Sequence, residues 1–260
     1  MHIKIFTIIS FLAFSVTALC QTGTEINKTD QQGRKQGHWI KKYPHGIIQY
    51  EGVFKDDHPV GEFKRYYEDT TPKSVMVYSS DGNEADATIY HPNGLVSSKG
   101  KYLNQMKEGK WKFFSNEGYL VNEEEYKGNL RNGPSLKYFP DGTVAEKLNY
   151  VNDKREGEWL QYHTNGKIFL RSFYSGNMLN GKFEVWFENG IIEFSGFYKN
   201  NVREGIWFIY NKDGSLRYKL NYVAGITKDR QMDIDASDFI DSLEKNRGNV
   251  VDPEKIGEIR

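Results

Sequence analysis

Apolar, polar and glycine positions recur along the chain with a period of 24 residues from Gly37 to Tyr222. Glycine stands at Gly37, Gly61, Gly109, Gly133, Gly157, Gly181 and Gly205, with Ala85 in the one gap. Two residues after it comes an aromatic (Trp39, Phe63, Trp111, Trp159, Phe183, Trp207), missing only at Ala87 and Ser135. A second aromatic follows three residues later, from Tyr66 to Tyr210. A second glycine column runs from Gly46 to Gly214, broken by Thr70, and an aliphatic column from Ile48 to Leu216, broken by Pro72. A last aromatic column, Phe54, Tyr78, Tyr102, Tyr126, Tyr150, Tyr174, Tyr198 and Tyr222, has no gap. Eight units without an insertion mark a tandem-repeat architecture.

The second glycine usually follows Asn or Asp, as in Asn93-Gly94, Asp141-Gly142 and Asn165-Gly166, between runs rich in aromatic and β-branched residues. Those residues tolerate the positive φ of a tight hairpin turn, so each unit is expected to be strand, turn, strand. The connection between units, such as Asn152-Asp153-Lys154-Arg155-Glu156, is polar and short enough for the next strand to return antiparallel. On the second strand, alternation puts Ile48, Tyr50, Gly52 and Phe54 on one face. On the first strand the Trp39-type and Tyr66-type columns are three residues apart, so either a bulge realigns them or both faces carry aromatics. One hairpin cannot bury such a face, so units must stack on their neighbours. The expected fold is all-β: an elongated, twisted antiparallel meander of eight 24-residue hairpins, extending on the order of 75 Å, with a short C-terminal helix.

The ends do not repeat. Residues 1–20 join Lys4 to an apolar run and then small residues, which reads as a signal peptide removed after Cys20. A lipid anchor on Cys20 is disfavoured because the large Leu19 precedes it. Residues 21–36 read as a polar linker, 37–228 as the repeat domain, and 229–260 as a helical cap and tail. In that last segment Ser237 serves as N-cap, Phe239, Ile240 and Leu243 form an apolar stripe, and Gly248 ends the helix. The expected location is outside the cytoplasm, in the periplasm, cell envelope or extracellular space. With no cysteine beyond Cys20, the repeat domain must hold by packing alone. Lys plus Arg (35) balances Asp plus Glu (35), which argues against a nucleic-acid partner, and no later run is apolar enough to span a membrane.

The unit Gly157-Glu-Trp159-Leu-Gln-Tyr162-His-Thr-Asn165-Gly166 followed by Tyr174, and the parallel stretch from Gly109 to Tyr126, resemble the MORN repeat variant of bacterial proteins. The resemblance covers roughly residues 37–225, with departures at Thr70, Ala85, Ala87 and Ser135. It implies a hairpin rod, roles in protein scaffolding or membrane-proximal assemblies, and no catalytic motif. One bacterial group similar to it comprises antitoxins, which fits poorly with export.

The residues themselves point to no chemistry. His38, His45, His58, His91 and His163 fall in different units or at different heights. Glu123-Glu124-Glu125 reads as a solvated strand face, and no cofactor or metal is expected. The protein is therefore expected to be a non-catalytic scaffold for another protein, with a glycan-binding aromatic ladder or an antitoxin-like sequestering protein as alternatives. The regular aromatic columns read as core, whereas Tyr43, Tyr67, Phe113, Phe139 and Phe187 stand outside them as surface candidates. The position six residues after the first glycine varies most between units, so Tyr43, Tyr67, Phe139 and Phe187 are the expected partner contacts.

Overall fold

The computed structural model describes residues 25–229, in which nineteen strands make one sheet. The expected signal peptide and C-terminal helix lie outside the described residues. Eight hairpins follow one another, from Lys35–Lys42 with Ile48–Lys55 to Val202–Tyr210 with Leu216–Tyr222. Every pairing is antiparallel and joins neighbours along the chain, as the meander requires.

The two kinds of turn exchange the roles expected of them. At the Asn/Asp-Gly turns only the glycine is left-handed (Gly94 φ 82°, Gly166 φ 78°), with Thr70 taking φ 74° in its place. The Asn or Asp before it instead accepts the amide two residues on, as Asn165 Oδ1 does from Lys167 N at 3.0 Å and Asp141 Oδ1 from Thr143 N at 2.9 Å. Gly166 N also donates to His163 O at 2.9 Å, which makes a three-residue loop with glycine at its close. All but one of the connections between units are the two-residue turns: Asn152-Asp153 (φ 49°, 64°) and Asn200-Asn201 (φ 50°, 67°) have both residues left-handed, a type I′ turn, and the exception precedes unit three. The first glycine column follows each of these. There one strand carries two residues more than its partner, as between Gly52↔Phe63 and Val53↔Val60, and Gly61 takes φ 65° in that bulge.

A second register shift sits beside every Asn/Asp-Gly turn, for example between Arg65/Tyr66. It does not bring the two aromatic columns of the first strand together. Tyr66 Oη donates to Glu51 at 2.6 Å and Tyr138 Oη to Glu123 at 3.0 Å, on the face opposite Phe63, so both faces carry aromatics. The aliphatic column pairs with this aromatic one (Tyr162↔Ile168, Trp186↔Ile192) and shares its face. The expectation that Ile48 lies with Tyr50, Gly52 and Phe54 is thereby corrected, because the bulge turns the strand over between Ile48 and Tyr50.

The core is the face that holds the Trp39-type and Tyr198-type columns. Trp111, Trp159, Phe183, Trp207 and Tyr222 are almost wholly buried there. Each Trp or Phe lies on the preceding strand, and where that strand offers glycine the fit is close: a Cβ added to Gly52, Gly100 or Gly196 would come 2.3, 2.2 or 2.1 Å from the ring of Phe63, Trp111 or Trp207. Where the ring is absent the partner is larger, Met76 opposite Ala87 and Glu124 opposite Ser135. Trp159 next to the Leu148 strand departs from this rule of compensating sizes, and nothing in the structure explains it.

Cations cover the rings. Lys107 Nζ lies 4.8 Å from the centres of both Trp111 and Tyr126, the Arg131 guanidinium 4.0 Å from Tyr150, Arg155 4.4 Å from Tyr174, and Arg203 5.6 Å from Trp207 and Tyr222. Their aliphatic stems shield the rings while the charge meets the π face, which explains how one sheet buries tryptophan so completely.

The segment expected to be a linker begins the sheet. Lys28–Thr29 pairs with the first long strand, and Asn27 both donates to His38 O and accepts from Ile40 N. Asp30 closes the turn between them by accepting from the amides of Gln32 and Arg34. Short polar strands of this kind cover the outer edge of a sheet against self-pairing.

Candidate functional site

The row of Tyr43, Tyr67, Phe139 and Phe187 opens the Asn/Asp-Gly turns. Tyr43 N donates to Ile47 O and Tyr43 O accepts from Gly46 N, and the same pair of bonds recurs at Tyr67, Phe139 and Phe187. Several side chains of this row reach into the next unit. Tyr43 Oη donates to Tyr66 O at 2.9 Å, and Tyr67 Oη to Tyr90 O at 3.1 Å. His91 and His163 hold the corresponding carbonyls of Phe114 and Trp186 at 3.0 and 2.8 Å through Nε2, which therefore carries the proton. The row thus ties each hairpin end to its neighbour. All four aromatic candidates are half-buried. Phe113, the fifth surface candidate, is 2% exposed and packs in the core with Trp111, two residues before it on the same face.

The acidic triplet is not a solvated face. Glu123 pairs with Lys112 at 3.0 Å and accepts from Tyr138, and these partners hold its carboxyl below the usual range against the opposing effect of burial. Glu124 accepts from Tyr126 Oη and lies 3.8 Å from Arg131. On the phenol side, burial first and the hydrogen bond to Glu51 or Glu123 second push Tyr66 and Tyr138 up to about 12. A neighbouring polar group was not foreseen: Glu146, 8% exposed, accepts from Trp159 Nε1 at 3.1 Å and Gln161 Nε2 at 2.9 Å and pairs with Lys137 at 3.0 Å. It fills the aromatic face where Ser135 leaves out a ring. Among the described residues no three His, Cys, Asp or Glu gather to hold a metal.

Exposed apolar side chains stand at both edges: Leu95, Tyr119 and Leu216, 43 to 53% exposed, lie beside the turns within units, and a longer series lies beside the type I′ turns. Leu103, Met106, Leu130, Val151, Met178 and Val202 are each 36 to 44% exposed and flank successive turns along one edge of the sheet. Val223 and Ile226 extend the row at 66 and 72%. Phe197 and Ile206, half exposed, border it on the face opposite Trp207. The signal is present in the sequence, since Met106, Leu130, Met178, Val202 and Ile226 keep the 24-residue spacing with Lys154 as the exception, but a position next to a polar turn does not stand out as a contact column.

A sheet of stacked hairpins bonded only to their neighbours, with a glycine–aromatic frame and variable edges, defines an all-β tandem-repeat protein. The MORN repeat variant matches it at residues 131–152, 155–175, 179–200 and 203–224, and this stretch of the chain is four tandem copies of that repeat. The upstream hairpins follow the same strand order, with departures at Thr70, Ala85 and Ala87 and in the connection before unit three. No curated protein matches the chain. Two solved structures show weak likeness, both with a TM-score of 0.16: TcdB2-TccC3-TEV, at 11% identity over 76% of this chain and 15% of that one, and the TCP10 domain of Danio rerio CPAP in complex with a peptide of Danio rerio STIL, at 14% identity over 72% of this chain and 100% of that one. Likeness at that level carries no weight for fold or function.

Proposed function

We propose that the protein is an exported, non-catalytic scaffold that binds another protein along the edge formed by its type I′ turns. The observation that carries this reading is the aliphatic row from Leu103 to Ile226, which a monomeric chain has no packing reason to keep in solvent. Its setting is mixed in charge, Lys127, Lys154 and Lys199 alternating with Asp153, Glu156 and Glu204, and offers no single-sign field for lipid phosphates. Among the described residues no helix is long and apolar enough to cross a membrane. The aromatic columns are covered by cations and by each other, which disfavours a glycan ladder. Export rests on residues 1–20, and Tyr43, Tyr67, Phe139 and Phe187 form a second contact row at the opposite edge in the same proposal.

The test is in-cell crosslinking followed by capture, comparing the native chain with one in which Leu130, Val151, Met178 and Val202 are all lysine. The expected result is one reproducible protein crosslinked to the native chain and lost from the variant, while both melt at closely similar temperatures. Retention of that protein by the correctly folded variant removes the edge from the proposal.

A further inference from the structure

Unit three departs from the repeat at three places that meet in space. Ala85 stands for the bulge glycine, Ala87 for the Trp or Phe two residues later, and Asn83 for the ring-covering cation. Both alanines are buried, at 3 and 4% exposed, and lie on the core face in register with Tyr102 and Gly100. Met76, opposite Ala87, takes up part of the missing ring's volume. What remains is a cavity of about 490 Å³, with apolar walls from Met76, Ile89, Tyr78 and Tyr102 and with Arg65 and Lys73 in its rim. That is within the range of small-ligand sites, roughly 300–1,000 Å³.

Two comparisons within the chain show that the cavity is not a generic result of losing a ring. Unit five also lacks one, at Ser135, yet there Glu124, Lys137 and Glu146 fill the face and Arg131 covers Tyr150. In unit three this position is Asn83, and the connection before it is a four-residue loop, closed by Ser79 N donating to Glu84 O at 2.9 Å, in place of the type I′ turn. The charge among the lining residues is one-sided as well. Arg65 and Lys73 line the cavity and no carboxylate does. The position of Arg65 beside Tyr78 is also felt electrostatically: burial raises the Tyr78 hydroxyl and the guanidinium opposes that rise.

We propose that this socket receives an aromatic side chain of a partner protein, presented next to a carboxylate. The ring takes the place of the absent indole between Tyr78 and Tyr102, and the carboxylate meets Arg65 and Lys73. A buried ring with a charge-assisted contact at its margin is the form that binding hot spots take. This inference rests on the protein-binding reading above and narrows it to one point of contact, separate from the type I′ edge.

The probes are N-acetyl-tryptophan, which has both ring and carboxylate, and its neutral amide, titrated into the mature protein by calorimetry and NMR. The acid is expected to bind, and to bind roughly tenfold more tightly than the amide, as a charge-assisted contact implies. Ala87→Trp, which restores the residue that units one, four, six and eight carry, is expected to abolish binding of both probes. Should that variant fold poorly, Arg65→Met with Lys73→Met gives an independent readout: the acid is expected to fall to the affinity of the amide. The proposal is overturned if neither probe binds, if acid and amide bind alike to the native chain, or if a well-folded Ala87→Trp protein binds as before. Binding of a chito-oligosaccharide in place of either probe reassigns the socket to glycan and likewise overturns it. Probe binding that survives the lysine edge variant, together with loss of partner capture, separates the fate of the socket from that of the edge.

Discussion

Tyr198→Ala is expected to destabilise the protein by about 3 to 5 kcal/mol, the range for truncating a large buried aromatic. Tyr198 is 4% exposed and sits in the core cluster that runs from Leu148 to Tyr222. Its ring meets Phe183 at 5.3 Å and Trp207 at 5.2 Å, both edge to face, so it joins the hairpin to which it belongs to the next one. Removing it opens a cavity between two units that cannot close without moving both strands. Denaturant unfolding measures the loss directly, and a change below about 0.5 kcal/mol would put this column at the surface.

Adding a single carbon should also be costly. Gly196→Ala places a Cβ 2.1 Å from Trp207 Cδ2, and Trp207 is 1% exposed with no room to withdraw. The expected cost is about 1 to 3 kcal/mol, the usual penalty for overpacking a filled core. The double variant Gly196→Ala with Trp207→Leu should cost less than the two single changes summed, since the smaller side chain removes the collision. Additive losses in that cycle would mean that the indole does not rest on the glycine.

Much of this fold was legible in the sequence, because a fixed period lets one position be read eight times over. The hairpins, the meander and the core face follow from Gly37, Trp39 and Tyr198 and their equivalents, whereas the Tyr66 column, also expected in the core, is half-buried on the opposite face. What was missed has local physical causes. Asn and Asp favour both left-handed φ and side-chain capping, so the sequence alone did not show that Asn165 uses the second and Asn152 the first. The bulge between Ile48 and Tyr50 leaves no mark in the period, since it occurs at the same height in every unit. The cation column, Lys107, Arg131, Arg155 and Arg203, was visible at 24-residue spacing, but charged residues beside a turn suggest solvent and not a cover for rings. Among the contact candidates, Phe113 belongs to the core by simple alternation from Trp111. Tyr43 and Tyr67 join units through hydroxyls whose acceptors lie 23 residues away, beyond the reach of any local pattern.

The sheet holds together by stacking each hairpin on the next, so the stability of one unit is coupled to that of its neighbours. Amide hydrogen exchange along residues 25–229 tests this coupling. Exchange is expected to rise and fall with a 24-residue period, slowest on the strands bearing Trp111, Trp159 and Trp207 and fastest at both sets of turns. Tyr198→Ala should then weaken protection in its own unit and in the unit carrying Trp207 before distant ones. Protection without that period, or a loss in Tyr198→Ala confined to its own hairpin, would contradict the account.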